Sequence, residues 1–263
     1  MTTVLKLGGE LLEDAPGLTA MARATGALAA AGPLVVVHGG GRAIDAELRL
    51  RGLEPKFADG LRITDAAALQ TVISVLAGRT NTAFVAALHA AGVKAVGLTG
   101  ADAGIGLSRQ VDQFTTSAGE PVDLELVGEP VNGSMALLQD LTRLGYVPVV
   151  ASIGVTESGG LLNVNADTLA GHLAGALGAR RLVIAGGTAG VLDERGETIA
   201  SLNADGVAAM IASGMAHSGM IAKLTACRHA MTGGVEEVAI VSGRGVANFN
   251  QATGTRLVAA VRT

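Results

Sequence analysis

A chain of 263 residues with 49% hydrophobic but only 2% aromatic residues builds its core from Ala, Val, Leu and Ile, at a length that suits one large α/β domain or two lobes sharing a sheet. Its formal charge of -4 argues against a nucleic-acid-binding surface, and a single cysteine, Cys227, leaves no disulfide frame or cysteine metal site within one chain. The 38 glycines fall mostly at element ends and not in a repeat, which excludes collagen-like and low-complexity readings.

The start, Met1-Thr2-Thr3, leads straight into a short strand, Val4-Leu5-Lys6-Leu7, that ends in Gly8-Gly9. No signal peptide or membrane-length apolar run is legible, so a cytoplasmic protein is expected. Lys6 inside an apolar strand is costly unless its ammonium faces water at a sheet edge or reaches an anion. The two glycines beside it favour an anion, with bare backbone donors next to a point charge. A helix is expected from about Pro16 to Ala31. The β-branched run Val35-Val36-Val37 then reads as a strand buried on both faces, stopped by His38-Gly39-Gly40-Gly41 just before a helix that reaches about Arg51. Such a strand-to-helix glycine turn points N–H groups and a helix dipole at one place, an anion site or simply a tight turn.

Gly60-Leu61-Arg62-Ile63 follows, with Thr64 or Asp65 as cap of a long helix through Leu69, Val72, Ile73, Leu76, Phe84 and Leu88. Arg62, just ahead of that cap, is a surface residue or a two-pronged clamp for a carboxylate. A strand over Gly92–Leu98 ends at Thr99-Gly100-Ala101-Asp102. From Gly104 to Asn132 the helical pattern gives way to hairpins, a candidate flap. A helix to about Leu144 and the strand Val147–Ala151 restore the α/β alternation. In Asn163-Val164-Asn165-Ala166-Asp167 three polar side chains alternate with apolar ones, so an extended segment puts all three on one side, more than a helix cap requires. The strand Arg181–Ala185 ends in a second glycine-rich turn, Gly186-Gly187-Thr188-Ala189-Gly190. A helix runs through Val207–Ile211. Gly219 opens another, whose Met220, Leu224 and Cys227 fall at core spacing, with Lys223 one turn in, within reach of an anion at the helix start. Cys227 thereby reads as a small core residue and not a nucleophile. The last strands are Val238–Val241, ending at Ser242-Gly243-Arg244, and Gly254–Val258.

The five histidines, His38, His89, His172, His217 and His229, have no ligand spacing, and neither a Gly-x-Ser-x-Gly turn nor a Gly-x-x-x-x-Gly-Lys phosphate loop is present. No carboxylate cluster points to a protein-held metal. Two lysines, an arginine, glycine-rich strand ends and Asn/Asp side chains remain, an apparatus for holding negative charge while a phosphoryl group moves.

Lys6-Leu7-Gly8-Gly9, Val37-His38-Gly39-Gly40-Gly41, Gly60-Leu61-Arg62-Ile63-Thr64, Asn163-Val164-Asn165-Ala166-Asp167, Gly219-Met220-Ile221-Ala222-Lys223-Leu224 and Gly254-Thr255, in this order and spacing, resemble the acetylglutamate kinases of the amino-acid kinase family over nearly the whole chain. The resemblance implies an α/β fold, a three-layer αβα sandwich with a mainly parallel central sheet of about eight strands. It implies one domain over 1–263, with an acyl-substrate and dimerisation lobe over 1–178 and a nucleotide lobe over 179–263. The implied reaction is ATP-dependent phosphorylation of the side-chain carboxylate of N-acetyl-L-glutamate, the second step of arginine synthesis. By the same resemblance, Lys6 and Lys223 offset the charge of the transferring phosphoryl group and Asp167 fixes both lysines. Gly40, Gly41, Arg62 and Asn163 hold the acyl substrate. Gly8, Gly9, Gly186, Gly187, Gly190 and Lys223 hold the nucleotide, and Mg²⁺ rides mainly on the ATP phosphates with no metal site of the protein's own. A first strand beginning at about Thr3 leaves no N-terminal helix, so a homodimer insensitive to arginine is expected, without nucleic-acid or membrane partners.

One position departs from the family pattern: the acidic side chain usual in the nucleotide-lobe turn is absent from Gly186-Gly187-Thr188-Ala189-Gly190. Three alternatives stay open. Other family members phosphorylate carbamate or a nucleotide monophosphate, which the Arg62 context fits poorly. A sister kinase acts on aminoadipate carried by a small acidic protein; the intact Asn-Val-Asn-Ala-Asp stretch and the acidic pI lean against it. A sensor that binds acetylglutamate without turnover is at odds with the two lysines but compatible with the altered turn.

Overall fold

A computed structural model describes residues 1–212 and 218–258; His217 lies outside the described residues. Eight strands form the main sheet: β1 (Thr3–Leu7), β2 (Leu34–His38), β3 (Ala95–Thr99), β4 (Val147–Ala151), β5 (Arg181–Gly186), β6 (Ser201–Leu202), β7 (Glu237–Ser242) and β8 (Gly254–Leu257). Their order is β6-β8-β7-β5-β1-β2-β4-β3. From β7 to β3 every neighbouring pair is parallel; β8 alone runs antiparallel to β7 and carries β6 with it in parallel. The expected mainly parallel sheet of about eight strands is what forms.

The two-residue period of the strands sorts the core onto two faces. Val4, Val35, Val37, Leu182 and Ile184 point to one side, where they meet Leu169 and Leu173 of helix α5 (Ala166–Ala176) and Leu224 and Cys227 of helix α7 (Ser218–Thr232). Leu5, Leu7, Val36, Val183 and Ala185 point to the other, against Met21 and Leu28 of α1 (Ala15–Ala29) and Phe84 and Leu88 of α3 (Ala66–Ala90). Helices α2 (Gly41–Leu50), α4 (Ala136–Arg143) and α6 (Ala204–Ala212) complete the outer layers. Cys227 is fully buried, and that burial pushes its thiol pKa well up, so it is a packing residue, as its spacing indicated.

Helix α3 is capped by Asp65, whose carboxylate accepts the N–H of Ala68 at 2.7 Å; Thr64 is otherwise engaged. By length and composition α3 is apolar enough to cross a membrane, which corrects the expectation that no apolar run of that length is present. Its Val72, Phe84 and Leu88 are completely buried, as in the core helix of a globular fold. A π-helical stretch, Ser74–Thr80, interrupts it and turns Leu76 and Thr80 toward the glycine turn after β2.

The segment expected as a hairpin flap is only partly one. Ser108–Gln110 and Val127–Pro130 join Leu161–Val164 and Ile153–Val155 in a mixed four-stranded sheet, and Phe114–Thr115 with Pro121–Val122 forms a small hairpin beyond it. Because β5, β1 and β2 are adjacent and parallel, their glycine turns emerge along one edge, where ligands bind in open α/β sheets.

Candidate active site

The first turns of this edge meet backbone to backbone. A Cβ on Gly9 would overlap the Cα of Gly40 and come within 2.8 Å of its N, and one on Gly40 would lie 2.7 Å from Leu76 Cδ2. Glycine is required here for close approach, not for a positive φ. The cavity in front of them, about 220 Å³, is lined by Lys6, Gly8, Gly9, Gly40, Gly41, Arg62, Asn163 and Asp167, so eight of the residues marked in the sequence converge.

Lys6 leaves β1 on the face that meets α5, where Asp167 occupies the first helical turn. Lys6 Nζ lies 2.9 Å from Asp167 Oδ1, with side-chain exposures of 7% and 8%. Lys223 Nζ approaches the other carboxylate oxygen, Oδ2, at 3.7 Å and donates to Gly219 O at 3.2 Å. Helices α5 and α7 come close enough for this because Gly171 faces Ala226; a Cβ there would sit 2.6 Å from the Ala226 carbonyl oxygen. One buried carboxylate thus sits between two ammonium groups, an arrangement with one more positive than negative charge.

The extended alternation expected for Asn163, Asn165 and Asp167 is not how they meet. Asn163 lies on a strand that ends at Val164, Asn165 caps α5 by accepting the N–H groups of Asp167 at 2.9 Å and Thr168 at 3.1 Å, and Asp167 is already helical. The chain turns the corner between strand and helix, and all three still line the cavity.

Arg62 lies on a hairpin, Lys56–Ala58 with Leu61–Ile63. Its turn residues Asp59 and Gly60 have φ of 45° and 80°, the left-handed pair that an Asp-Gly turn adopts, a signal the sequence reading passed over. The guanidinium is 2.6 Å from Asp45 Oδ1 through Nη2, which also donates to Gly41 O at 3.3 Å, and it lies over the Phe57 ring at 4.6 Å. Nη1 is buried and has no hydrogen-bond partner among the described residues. A buried cationic donor left open at a cavity wall is primed for an anionic oxygen. Asn163 Nδ2 donates to Thr64 Oγ1 at 2.9 Å, and Thr64 in turn donates to Arg62 O, which fixes the carboxamide relative to the arginine.

Behind Gly39, the fully buried His38 is held at both ring nitrogens. Nε2 lies 3.0 Å from Asn81 Nδ2 and Nδ1 lies 3.1 Å from Gly39 O, a pattern that fits the neutral imidazole donating from Nδ1. Burial lowers its pKa to about 4. Asn81 also donates to Val149 O at 2.8 Å, so this polar pair ties β2, β4 and α3 together. His38 is scaffold, not a proton carrier.

The nucleotide-side residues are reached less directly. Gly186 and Gly187 touch the cavity through Glu10, which follows Gly9: Glu10 Oε1 accepts the N–H of Gly187 at 2.8 Å. The sequence reading did not mark Glu10; its one signal was a charged residue in an otherwise apolar turn. Gly190 is placed elsewhere. With φ 146° it packs on Thr255, whose Oγ1 would be 2.7 Å from an added Cβ and accepts the N–H of Val191 at 2.8 Å. Its glycine serves the loop-to-β8 contact. Among the described residues no cluster of His, Cys, Asp and Glu has the makings of a metal cage.

Residues 1–242 match the amino acid kinase family. The chain is 40% identical over 247 residues to an acetylglutamate kinase of Symbiobacterium thermophilum, covering 92% of this chain and 84% of that one. An acetylglutamate kinase of Acidiphilium cryptum is 42% identical over 217 residues, 80% of this chain and 72% of that one. Among solved structures, smu.665 from Streptococcus mutans superposes with a TM-score of 0.82 at 26% identity, over 98% of each chain.

Proposed function

Since the chain belongs to the amino acid kinase family, with acetylglutamate kinases as its relatives across most of its length, we propose that it transfers the γ-phosphoryl group of ATP to the side-chain carboxylate of N-acetyl-L-glutamate, the second step of arginine synthesis, in the cytoplasm. The observation that carries this is the Lys6–Asp167–Lys223 array at the rim of a glycine-walled cavity. A carboxylate is already a nucleophile, so the site needs no general base; His38 is buried and neutral, and Cys227 is core. What the reaction needs is two anions held in contact. A carboxylate oxygen attacks the γ-phosphorus, the bond to the β–γ bridging oxygen breaks with its electrons leaving on ADP, and an acyl phosphate forms.

Lys6 and Lys223 neutralise charge on the phosphoryl group in flight, and Asp167 keeps their ammonium groups a fixed distance apart. Arg62 takes the α-carboxylate through its open Nη1, with Asp45 and Phe57 holding the fork in plane. Asn163 orients the acetylamino group, and Gly40 and Gly41 admit the substrate close to the backbone. Gly8, Gly9, Gly186 and Gly187 face the triphosphate. Bound with ATP, Mg²⁺ would screen the phosphate charge, held mainly by phosphate oxygens, since of the two acids lining the cavity Asp167 is committed to lysines and only Glu10 makes no ion pair among the described residues.

Residues 1–178 act as the acyl-substrate lobe and 179–263 as the nucleotide lobe, a division supported by Arg62 and Asn163 on one part and Gly186, Gly187 and Lys223 on the other. The assembly is proposed to be a homodimer, to be tested by light scattering. The decisive assay is ADP release with ATP·Mg²⁺ and a panel of acyl amino acids. Turnover with acetylglutamate above all others is expected; acetylglutamate binding without turnover would return the sensor reading.

A further inference from the structure

The kinase reading leaves one charged group in the cavity without a task. Glu10 sits on the short turn Gly9–Leu11, half-buried, with its carboxylate laid against the Cα of Gly8: a Cβ there would be 2.6 Å from Glu10 Cδ. On its far side it accepts the Gly187 N–H at 2.8 Å. A Cβ on Gly186 would stand 3.3 Å from Glu10 Oε1 and 3.7 Å from Lys223 Cε, so the carboxylate and the lysine stem flank the same glycine. Yet no cation pairs with Glu10 among the described residues, whereas Asp167, the other acid lining the cavity, is engaged by two lysines. The carboxylate therefore occupies the place where glycine backbone is bare for phosphate, and it makes no ion pair with a described cation, while the Arg244 guanidinium flanks the same glycine, 3.5 Å from a Cβ on Gly187 that would be 3.6 Å from Glu10 Oε1.

We infer that Glu10 determines the form of nucleotide the enzyme accepts: it disfavours metal-free triphosphate and favours the metal-complexed one. The inference rests on the kinase reading. A bare triphosphate entering between Gly8 and Gly187 meets a like charge at close range, which the low-dielectric wall of the cavity does little to screen. A triphosphate carrying a divalent cation brings the counter-charge that Glu10 lacks. Mg²⁺ takes one or two carboxylates alongside phosphate oxygens and water, and Glu10 is the cavity acid free to be such a partner. The same side chain supplies, from the opposite side of the cavity, the acidic group absent from position 187.

Calorimetric titration of ATP, once with excess Mg²⁺ and once with chelator, separates this from a purely mechanical role. Glu10→Gln keeps an oxygen for the Gly187 N–H and removes the charge; Glu10→Ala removes both. The unmodified protein is expected to bind ATP·Mg²⁺ on the order of tenfold or more tighter than metal-free ATP, and both variants are expected to narrow that ratio to about threefold or less, with Glu10→Gln gaining affinity for metal-free ATP. An unchanged ratio in Glu10→Gln, or equal weakening of both nucleotide forms in Glu10→Ala with an unchanged ratio, would overturn the inference and leave Glu10 as a prop for the loop. An unmodified protein that binds no nucleotide in either form would defeat the kinase reading, and the inference with it.

Discussion

The two sides of the cavity are built differently. On the acyl side, side chains hold side chains: Arg62 is clamped by Asp45 and Phe57, Asn163 by Thr64, and the glycine turn is backed by His38 and Asn81. On the nucleotide side, a two-glycine turn is held by backbone, through the Gly243 N–H donated to Gly186 O, with Glu10 as the side chain that reaches across to Gly187, and Lys223 is more exposed, at 19%, than Lys6, at 7%. A side whose hydrogen bonds are already made loses little freedom when its ligand arrives; a side of bare backbone has that ordering still to do. The contrast predicts a site selective for its acyl substrate and more permissive toward its nucleotide.

The largest expected effect lies where the two sides meet. Lys6→Ala and Lys223→Ala should each lower kcat by about 10²-fold or more with smaller changes in KM for acetylglutamate, because the ammonium groups act on charge that develops in transfer. Near-normal kcat for Lys223→Ala would remove it from the catalytic set. Next, Arg62→Lys keeps the charge but loses the planar fork and its ring contact, so KM for acetylglutamate should rise on the order of tenfold with KM for ATP nearly unchanged. A selective ATP defect would place Arg62 on the wrong side of the comparison.

A third expectation concerns the scaffold behind the acyl side. His38 is held neutral by burial, with a pKa of about 4 against an ordinary 6.5, and burial followed by the neighbouring His229 lowers that of His172. The unfolded chain takes up these protons below pH 6.5 while the folded one resists, so stability is full above that pH and is lost as pH falls toward 4. For the fully buried His38 the loss amounts to about 3 kcal/mol at most. Denaturant midpoints should hold steady from pH 8 to 7 and fall from 6.5 to 5; a flat profile through the acid range would mean the imidazole protonates in place. The smallest effect is expected at Gly187. Its backbone accepts a side chain, since an added Cβ meets only ordinary contacts with Arg244 and Glu10. Glu10 already holds the Gly187 N–H, so Gly187→Asp adds a redundant and repelled carboxylate and should change ATP affinity by less than about threefold. A large tightening in calorimetry would show that the nucleotide side is short of an acid after all.

What the sequence disclosed was local: apolar runs that end in glycine, a lysine where a lysine is costly, a cap followed by a helix. These rules operate within a few residues, and they located the three glycine turns, Lys6, Arg62 and Asp167. One local signal was available and unused, the Asp59-Gly60 turn; Thr64 was expected as a cap, and its partner Asn163 is 99 residues away. Glu10 and Asn81 were not legible. The first finds its partner 177 residues downstream, made a neighbour by the adjacency of β5 and β1; the second finds His38 43 residues upstream, made a neighbour by the packing of α3 on β2 and β4. Gly190 packs on Thr255, and in one dimension a glycine held by packing looks like a glycine kept clear for a ligand.

The contact between Gly9 and Gly40 also bears on how such an enzyme diverges. Each backbone fills the space a methyl group on Gly9 would need, so no single codon change at position 9 is met by room at position 40. Descendants that exchange acetylglutamate for another acceptor can rebuild Arg62, Asn163 or the hairpin beneath them one step at a time, but this junction admits no stepwise route. In a library of all single substitutions selected for growth without arginine, position 9 should tolerate nothing but glycine, while the exposed Gly78 of α3, with open space around it, should accept alanine.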